Sequence, residues 1–276
     1  MTGERGDGRS EPMDRLGARA SSRREAGARA MTRPRAGRAG LSLALGGDDV
    51  HVWHVSLDTS PLRLSSLWAV LDEAEKARAE RFHFARDRVR FVAARGTLRV
   101  ILGRYLDRDP ARIALVYGVQ GKPVLDPSAG DARASFNVSH SADLALVAVC
   151  LGRQIGVDLE RIRPDIAAED IARRFFSPRE NAALSALPPE HRVAAFFNCW
   201  TRKEAFVKAL GEGLALPLDH FDVSLSPGEP AALLRTAPDP SEAQRWYLAA
   251  LDAGPDYAAA LAVEAPPPRV QCRPWR

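Results

Sequence analysis

One segment constrains the fold of this chain more than any other, because it combines a strong helical pattern with a charge in an unexpected place. Residues 196–214 read FFNCWTRKEAFVKALGEGL, a pattern typical of a helix that ends at a glycine-rich turn. At about 100° per residue, one face of this helix collects Val193, Phe197, Trp200, Val207 and Gly211. Glu204 lies in the middle of that face, and Lys208 follows one turn later at its edge. A carboxylate in an apolar face is costly unless a cation meets it, so we expect Glu204 to contact Lys208, a metal ion or both.

The length and cysteine content of the chain indicate a cytoplasmic globular protein. Its 276 residues suffice for one large domain or two small ones. No apolar run is long enough to cross a bilayer, and the hydrophilic start of the chain is unlike a secretory signal, so we expect no membrane association. Cys150, Cys199 and Cys272 lack the spacing of a metal site or a disulfide framework, which indicates free thiols in a reducing compartment.

The basic charge of the chain is concentrated at its start. Residues 1–40 contain ten Arg and five acidic residues, whereas the rest has 29 basic and 30 acidic residues. This tail is rich in Arg, Gly and Ala and has few large apolar residues, so we expect it to be disordered. Met31 lies near its end, and an early start codon is an alternative explanation of the tail. A near-neutral folded part argues against nucleic-acid binding.

The order of the remaining patterns predicts an α+β protein. An alternating strand is expected at Val50–Val55, a helix at Arg88–Tyr105, and a hairpin whose polar turn is Ser139–Asp143. The helical arginines are interpreted as a solvated face: Arg88, Arg90, Arg95, Arg99 and Arg104. Similar element orders predict two α+β halves, residues 41–152 and 153–264, followed by a loose Pro-rich tail, residues 265–276.

A pair of acids on one predicted strand suggests a metal site. In IGVDLERI, alternation places Asp158 and Glu160 on the same face, where the two carboxylates repel each other. Two interpretations stay open from the residues alone: a solvent-facing edge, or hard oxygen ligands for Mg²⁺.

Four motifs in order carry a resemblance to a known family. They are GKP at residues 121–123, FNVSHS at 136–141, GVDLE at 156–160 and WTRKEAFVKALGEGL at 200–214. Together they resemble the 4'-phosphopantetheinyl transferases, specifically the monomeric, surfactin-synthetase-activating type. The resemblance covers roughly residues 45–264 and implies two pseudo-symmetric α+β halves with the active site between them. It also implies a monomer.

The resemblance implies an activity and a set of site residues. Such enzymes move the phosphopantetheine arm of coenzyme A to a serine of an apo acyl or peptidyl carrier protein and release adenosine 3',5'-bisphosphate. By motif, the Mg²⁺ acids are Asp158, Glu160 and Glu204. The residues matching coenzyme A contacts are Arg78, Arg90, Lys122, Ser139, His140, Lys203 and Lys208. Glu204 and Lys208 are the implied catalytic residues. Ala142 departs from the family, which often has Gly there.

Three other functions remain to be weighed. The chain could be a catalytically inactive homologue that binds carrier proteins or nucleotides, although every motif acid and lysine is present. An unrelated Mg²⁺-dependent phosphoryl-transfer enzyme should show a P-loop or kinase motif, and the sequence has none. A nucleic-acid-binding protein would need basic and aromatic residues within the folded part.

Overall fold

The computed structural model describes residues 43–118, 121–129, 133–211 and 216–276. These described residues belong to one compact unit. The predicted disordered tail, residues 1–40, lies outside them, so that interpretation stays a prediction. No helix within the described ranges is long and apolar enough to cross a membrane.

Helices and strands alternate in groups along the described part of the chain. The helices are α1 (Pro61–Ala69), α2 (Glu73–Glu80), α3 (Ala85–Leu106), α4 (Ala168–Phe175), α5 (Pro178–Ala186) and α6 (Pro189–Leu210). The strands are β1 (Asp49–Ser56), β2 (Leu115–Tyr117), β3 (Pro123–Leu125), β4 (Ala134–Ser141), β5 (Leu144–Leu151), β6 (Ile155–Arg161), β7 (Phe221–Val223), β8 (Leu233–Thr236), β9 (Trp246–Ala250), β10 (Tyr257–Glu264) and β11 (Arg269–Pro274).

Two sheets organise these elements. The first has the order β11-β1-β5-β4 and the second β6-β10-β9, while β2-β3 and β7-β8 form short ribbons. Strand pairs within the two sheets are antiparallel except β1 and β11, which are parallel. Helices and mostly antiparallel sheets in one compact unit confirm the predicted α+β class.

Three hydrophobic clusters hold the layers together. One packs α1–α3 on the first sheet, through residues such as Leu98 and Val147. A second packs α4–α6 on the second sheet, through residues such as Phe206 and Ala260. The third joins the two sheets and includes Val52 of β1, with Val157 of β6. The alternating residues of β1, β5, β6 and β10 are therefore buried on both faces.

The hairpin of β4 and β5 corrects the predicted turn. Ser139 and His140 pair with Leu146 and Ala145 in the ladder, so they belong to a strand and not to the turn. The turn itself contains Ala142, whose φ of 51° lies in the left-handed region that favours glycine. This backbone conformation explains why the family often has Gly at this position, and Ala142 adopts it at a conformational cost.

The end of the chain corrects a second prediction. Residues 265–276 were expected to be loose, but Arg269–Pro274 form β11 in register with β1. Trp275 follows and packs edge-on against Trp53, with ring centroids 5.3 Å apart. The prolines of this segment indicate a loose tail when the sequence is read alone. Pro is nevertheless compatible with an edge strand such as β11, where one N–H group is not needed for pairing.

The arginines of α3 are not a uniform solvated face: Arg88 and Arg104 are exposed, but the interpretation was wrong for Arg95 and Arg99. Arg99 is buried, where its Nε donates to Glu75 Oε2 at 2.5 Å and its Nη2 donates to Asp72. Arg95 is also largely buried, with its Nε 3.5 Å from Glu75 Oε1. The N-terminal segment of α2 covers these positions, which helical spacing alone does not reveal.

Candidate functional site

The two acids of β6 lie at the junction of the sheets. The side chain of Asp158 is buried, with the residue only 2% exposed, and Glu160 is half-buried. Asp158 Oδ2 is buried and has no hydrogen-bond partner among the described residues. The predicted alternative of a solvent-facing edge is therefore wrong, because β6 is covered on both faces.

Close contact between α6 and β6 brings a third acid to the same place. A Cβ atom added to Gly156 would lie 2.0 Å from Ala205 O and 2.4 Å from Ala209 N, so only glycine permits this approach. The helix ends at Gly211, whose φ of 77° closes it in the left-handed conformation. This packing places Glu204 and Lys208 of α6 beside the acids of β6.

The position of Glu204 on α6 differs from the prediction. The helix is buried on most of its surface, and the residues along one line are half-buried instead: Trp200, Glu204 and Lys208. Glu204 is thus on the more open line of the helix and not at the centre of the packed face. A helix enclosed by a sheet, two helices and β7 has no single apolar stripe.

Lys208 pairs with an acid of β6. Its Nζ donates to Asp158 Oδ1 at 2.6 Å and to Ser139 Oγ at 3.0 Å. The side chain of Lys208 is 29% exposed, whereas that of Asp158 is 3% exposed. The contact of Lys208 with Glu204, one of the two that were expected for Glu204, is therefore not formed, because Lys208 pairs with Asp158 instead.

The electrostatics of this cluster disfavour full ionisation. Burial raises the pKa of Glu160, and the neighbouring charge of Asp158 raises it further. Burial likewise raises the pKa of Glu204, and the charge of Asp158 is the second cause of this increase. The positive charge of Lys208 lowers the same pKa. Three carboxylates with one lysine among them leave surplus negative charge, which a cation would offset.

A small basic cavity lies on the other side of β4. It has a volume of about 150 Å³, and its lining includes Arg78, Arg95, His140, Phe91 and Pro123. The guanidinium of Arg78 stacks over the Phe91 ring at 5.3 Å. The Nη1 atom of Arg95 is buried and has no hydrogen-bond partner among the described residues. Three cationic or protonatable side chains around one cavity suit an anion.

The solvated-face interpretation missed Arg95. It lies one turn after Phe91 on α3, the same side that faces Arg78, and this i,i+4 spacing is the signal that was available in the sequence. By contrast, Arg90 does not line the cavity. It donates through Nε to Asp143 Oδ1 at 3.0 Å and so anchors the β4–β5 turn.

Two predicted lysines have structural partners instead. Lys122 Nζ donates to Ile155 O at 3.2 Å and also reaches the last carbonyl groups of α6, a favourable place for a cation. Burial lowers its pKa to about 8. Lys203 is fully buried, where its Nζ lies 2.8 Å from Glu180 Oε2 and donates to Leu218 O at 2.6 Å. These contacts place Lys203 outside the carboxylate cluster and argue against the predicted role in coenzyme A binding.

Comparison with known proteins identifies the family. Residues 154–262 match a family model described as the 4'-phosphopantetheinyl transferase superfamily, and residues 57–151 match one described as 4'-phosphopantetheinyl transferase, N-terminal. The chain is 44% identical over 222 residues to the 4'-phosphopantetheinyl transferase HetI of Nostoc sp., covering 80% of this chain and 90% of that protein. The chain belongs to the 4'-phosphopantetheinyl transferase family.

Two further proteins are less similar to this chain. The 4'-phosphopantetheinyl transferase Sfp of Bacillus subtilis is 34% identical over 154 residues, which cover 56% of this chain and 65% of Sfp. Among solved structures, holo-[acyl-carrier-protein] synthase of Thermotoga maritima has a TM-score of 0.33 and 21% identity, over 40% of this chain and 62% of that one. A TM-score this low adds no weight to the assignment.

The boundary between the two matched regions suggests a division of the transferase. The two matches meet between residues 151 and 154, in the connection from β5 to β6. We propose that the predicted halves, 41–152 and 153–264, divide there, since each carries helices that pack on its own sheet.

Proposed function

We propose that this chain transfers the 4'-phosphopantetheine arm of coenzyme A to a serine of apo acyl or peptidyl carrier proteins and releases adenosine 3',5'-bisphosphate. The observation that carries the proposal is the convergence of Asp158, Glu160 and Glu204, with Lys208 bound to Asp158. Family membership supports the reaction class, and the cluster supports activity in this chain.

The residues of the cluster fit Mg²⁺ as the cofactor. Within the described ranges, no set of three or more His, Cys, Asp or Glu side chains is already arranged as a formed metal site. The chemistry nevertheless matches: hard carboxylate oxygens, an unpartnered buried Oδ2 on Asp158, and raised pKa values at Glu160 and Glu204. Asp158, Glu160 and Glu204 would hold the ion, which when bound would neutralise pyrophosphate oxygens of coenzyme A.

Cationic side chains on both sides of β4 suit the phosphates of coenzyme A. The cavity lined by Arg78, Arg95 and His140 would take the 3'-phosphate, with the unpartnered Nη1 of Arg95 as one donor. Lys208 is partly exposed and would shift from Asp158 towards the pyrophosphate. Its positive charge would then stabilise the leaving group.

The reaction is a substitution at phosphorus. The serine oxygen of the carrier bonds to the phosphorus next to the pantetheine arm, and the bond from that phosphorus to the bridging oxygen breaks. The bridging oxygen leaves with adenosine 3',5'-bisphosphate. We assign the serine proton to Glu204, directly or through a water molecule, because this carboxylate of the cluster lies on the more open line of α6.

Several partner and location assignments accompany the proposal. Coenzyme A and carrier proteins are the partners, and action as a monomer in the cytoplasm, without nucleic acid or membrane, stays a prediction from the sequence.

Mass spectrometry of apo carrier proteins tests the proposal. Carriers from fatty-acid, polyketide and peptide-synthetase pathways are incubated with the protein, coenzyme A and Mg²⁺. One phosphopantetheine group should appear on the serine of at least one carrier, and chelation of the metal should stop the reaction. A failure of every carrier to gain mass would contradict the catalytic proposal and favour an inactive binding homologue.

A further inference from the structure

The joint between the two sheets is made by side chains and not by a backbone ladder. β4 is an edge strand of the first sheet and β6 an edge strand of the second. The opposite edge of β6 pairs with β10, so its remaining N–H groups need other acceptors. Alternate residues of β4 provide them: Asn137, Ser139 and Ser141.

Each contact in this joint has the same form. Asn137 Oδ1 accepts from Val157 N at 2.9 Å. Ser139 Oγ accepts from Leu159 N at 3.3 Å. Ser141 Oγ accepts from Arg161 N at 3.0 Å. The three acceptors follow the two-residue period of both strands, which fixes β6 against β4 without a ladder.

The two serines differ from Asn137 because their hydroxyl groups also donate to acids. Ser139 Oγ donates to Asp158 Oδ1 at 2.9 Å, and Ser141 Oγ donates to Glu160 Oε2 at 3.0 Å. Asp158 has a second donor in Lys208. Within the described ranges, Glu160 receives a hydrogen bond from Ser141 alone.

We propose that Ser141 is a positioning residue that fixes the carboxylate of Glu160 in the cation site. The proposal rests on the proposed function, because it assumes that Glu160 binds the metal. The Ser141 hydroxyl accepts a hydrogen bond from Arg161 N–H and donates one to the Glu160 carboxylate, which removes rotational freedom from this half-buried side chain. Groups that orient metal ligands in this way commonly govern metal affinity.

Binding of Mn²⁺ provides a readout that does not depend on turnover. The free ion is counted by electron paramagnetic resonance in titrations of the wild-type protein with coenzyme A present. Ser141→Ala should weaken Mn²⁺ binding by about tenfold, the usual scale for loss of a group that orients a ligand. Ser141→Thr keeps the hydroxyl group and should bind within about twofold of wild type.

Asn137→Ala is the matched control for the joint. It removes one contact between β4 and β6 but no contact with an acid, so it should lower thermal stability and leave Mn²⁺ affinity within about twofold. The positioning role would be overturned if Ser141→Ala and Asn137→Ala weakened Mn²⁺ binding equally. It would also be overturned if Ser141→Ala bound Mn²⁺ with wild-type affinity. If Asn137→Ala does not fold, the Ala and Thr variants of Ser141 decide the question by themselves.

The outcomes separate this inference from the proposed function. Wild-type protein that binds Mn²⁺ but modifies no carrier contradicts the transfer reaction, while a specific loss in Ser141→Ala still supports positioning. Wild-type protein that takes up no Mn²⁺ with coenzyme A contradicts both the metal assignment and the role of Ser141.

Discussion

Asp158 is the residue on which the electrostatics of the cluster depend. Burial and, after it, the charge of Asp158 raise the pKa of both Glu160 and Glu204, and Asp158 is also the partner of Lys208. Its second oxygen remains without a partner in the described part of the chain. A buried carboxylate with one lysine and one free oxygen is more readily explained as part of an ion site than as a stabilising ion pair, because an uncompensated buried charge is costly.

His140 should distinguish coenzyme A from dephospho-coenzyme A. It lines the basic cavity with Arg78 and Arg95, so a 3'-phosphate in that cavity would accept a hydrogen bond from its ring. His140→Ala is expected to weaken the binding of coenzyme A by about tenfold, the value of one charge-assisted contact. The binding of dephospho-coenzyme A should weaken much less. Isothermal titration calorimetry with both ligands measures the difference.

Arg90→Met is the control for this comparison. Arg90 is anchored to Asp143 of the turn and does not line the cavity. Its loss should therefore change the binding of coenzyme A and of dephospho-coenzyme A to the same extent. If His140→Ala weakens the binding of both ligands equally, the 3'-phosphate does not bind in this cavity.

At the scale of elements, the contact between α6 and β6 decides whether the acids meet. The contact depends on Gly156, since a methyl group there would overlap the backbone of Ala205 and Ala209. A side chain can move away from an added methyl group, but a helix backbone held in a packed core cannot do so cheaply.

Gly156→Ala should therefore damage both stability and the site. We expect the free energy of unfolding to fall by about 3 kcal/mol, at the upper end for overpacking, because the clash is with backbone. Transfer should fall with it, since α6 carries Glu204 and Lys208. Chemical denaturation and the carrier assay measure the two effects.

Gly47→Ala serves as the comparison for Gly156→Ala. A Cβ atom at Gly47 meets nothing within 4 Å, so stability should change by less than about 0.5 kcal/mol. Full stability and activity in Gly156→Ala would mean that α6 does not approach β6 as closely as described.

The sequence predicted the elements of the site better than their surroundings. β6 and α6 were predicted from alternation and helical spacing, because these signals are local, while the metal role of the three motif acids stays a prediction. The burial of Arg99 and Arg95 was missed, because it depends on α2, which lies elsewhere in the chain. The involvement of Lys203 with Glu180 was missed for the same reason.

At the scale of the whole molecule, the C-terminal strand returns to the beginning of the fold. β11 adds to the first sheet beside β1, and Arg269 Nε donates to Asp49 Oδ1 at 2.7 Å. Trp275 lies between Trp53 and Arg104, whose guanidinium is 4.4 Å from the ring centroid. A pairing between residues about 220 positions apart leaves no local pattern in the sequence, which is why a loose tail was expected.

Removal of residues 269–276 should destabilise the protein substantially. The loss of a complete strand pairing and of the Trp275 contact should lower the free energy of unfolding by more than about 2 kcal/mol. Removal of Arg276 alone is the control and should have no measurable effect. Unchanged thermal melting after the longer truncation would mean that β11 does not pair with β1 in solution.

The most direct test of the carboxylate cluster as a cation site is Glu204→Gln, measured without metal and then for transfer. Because the raised pKa of Glu204 means that the native state binds its proton more readily than the unfolded chain, this group contributes less to stability as pH rises above the usual carboxyl range. Glu204→Gln removes this carboxyl group and with it the decrease in stability at neutral pH. We predict unchanged or greater stability at neutral pH and a rate reduced at least about 100-fold, while Glu190→Gln, an exposed change on the same helix, alters neither. A variant destabilised by about 1–3 kcal/mol that keeps most of its activity would contradict the cation site and give Glu204 a structural role instead.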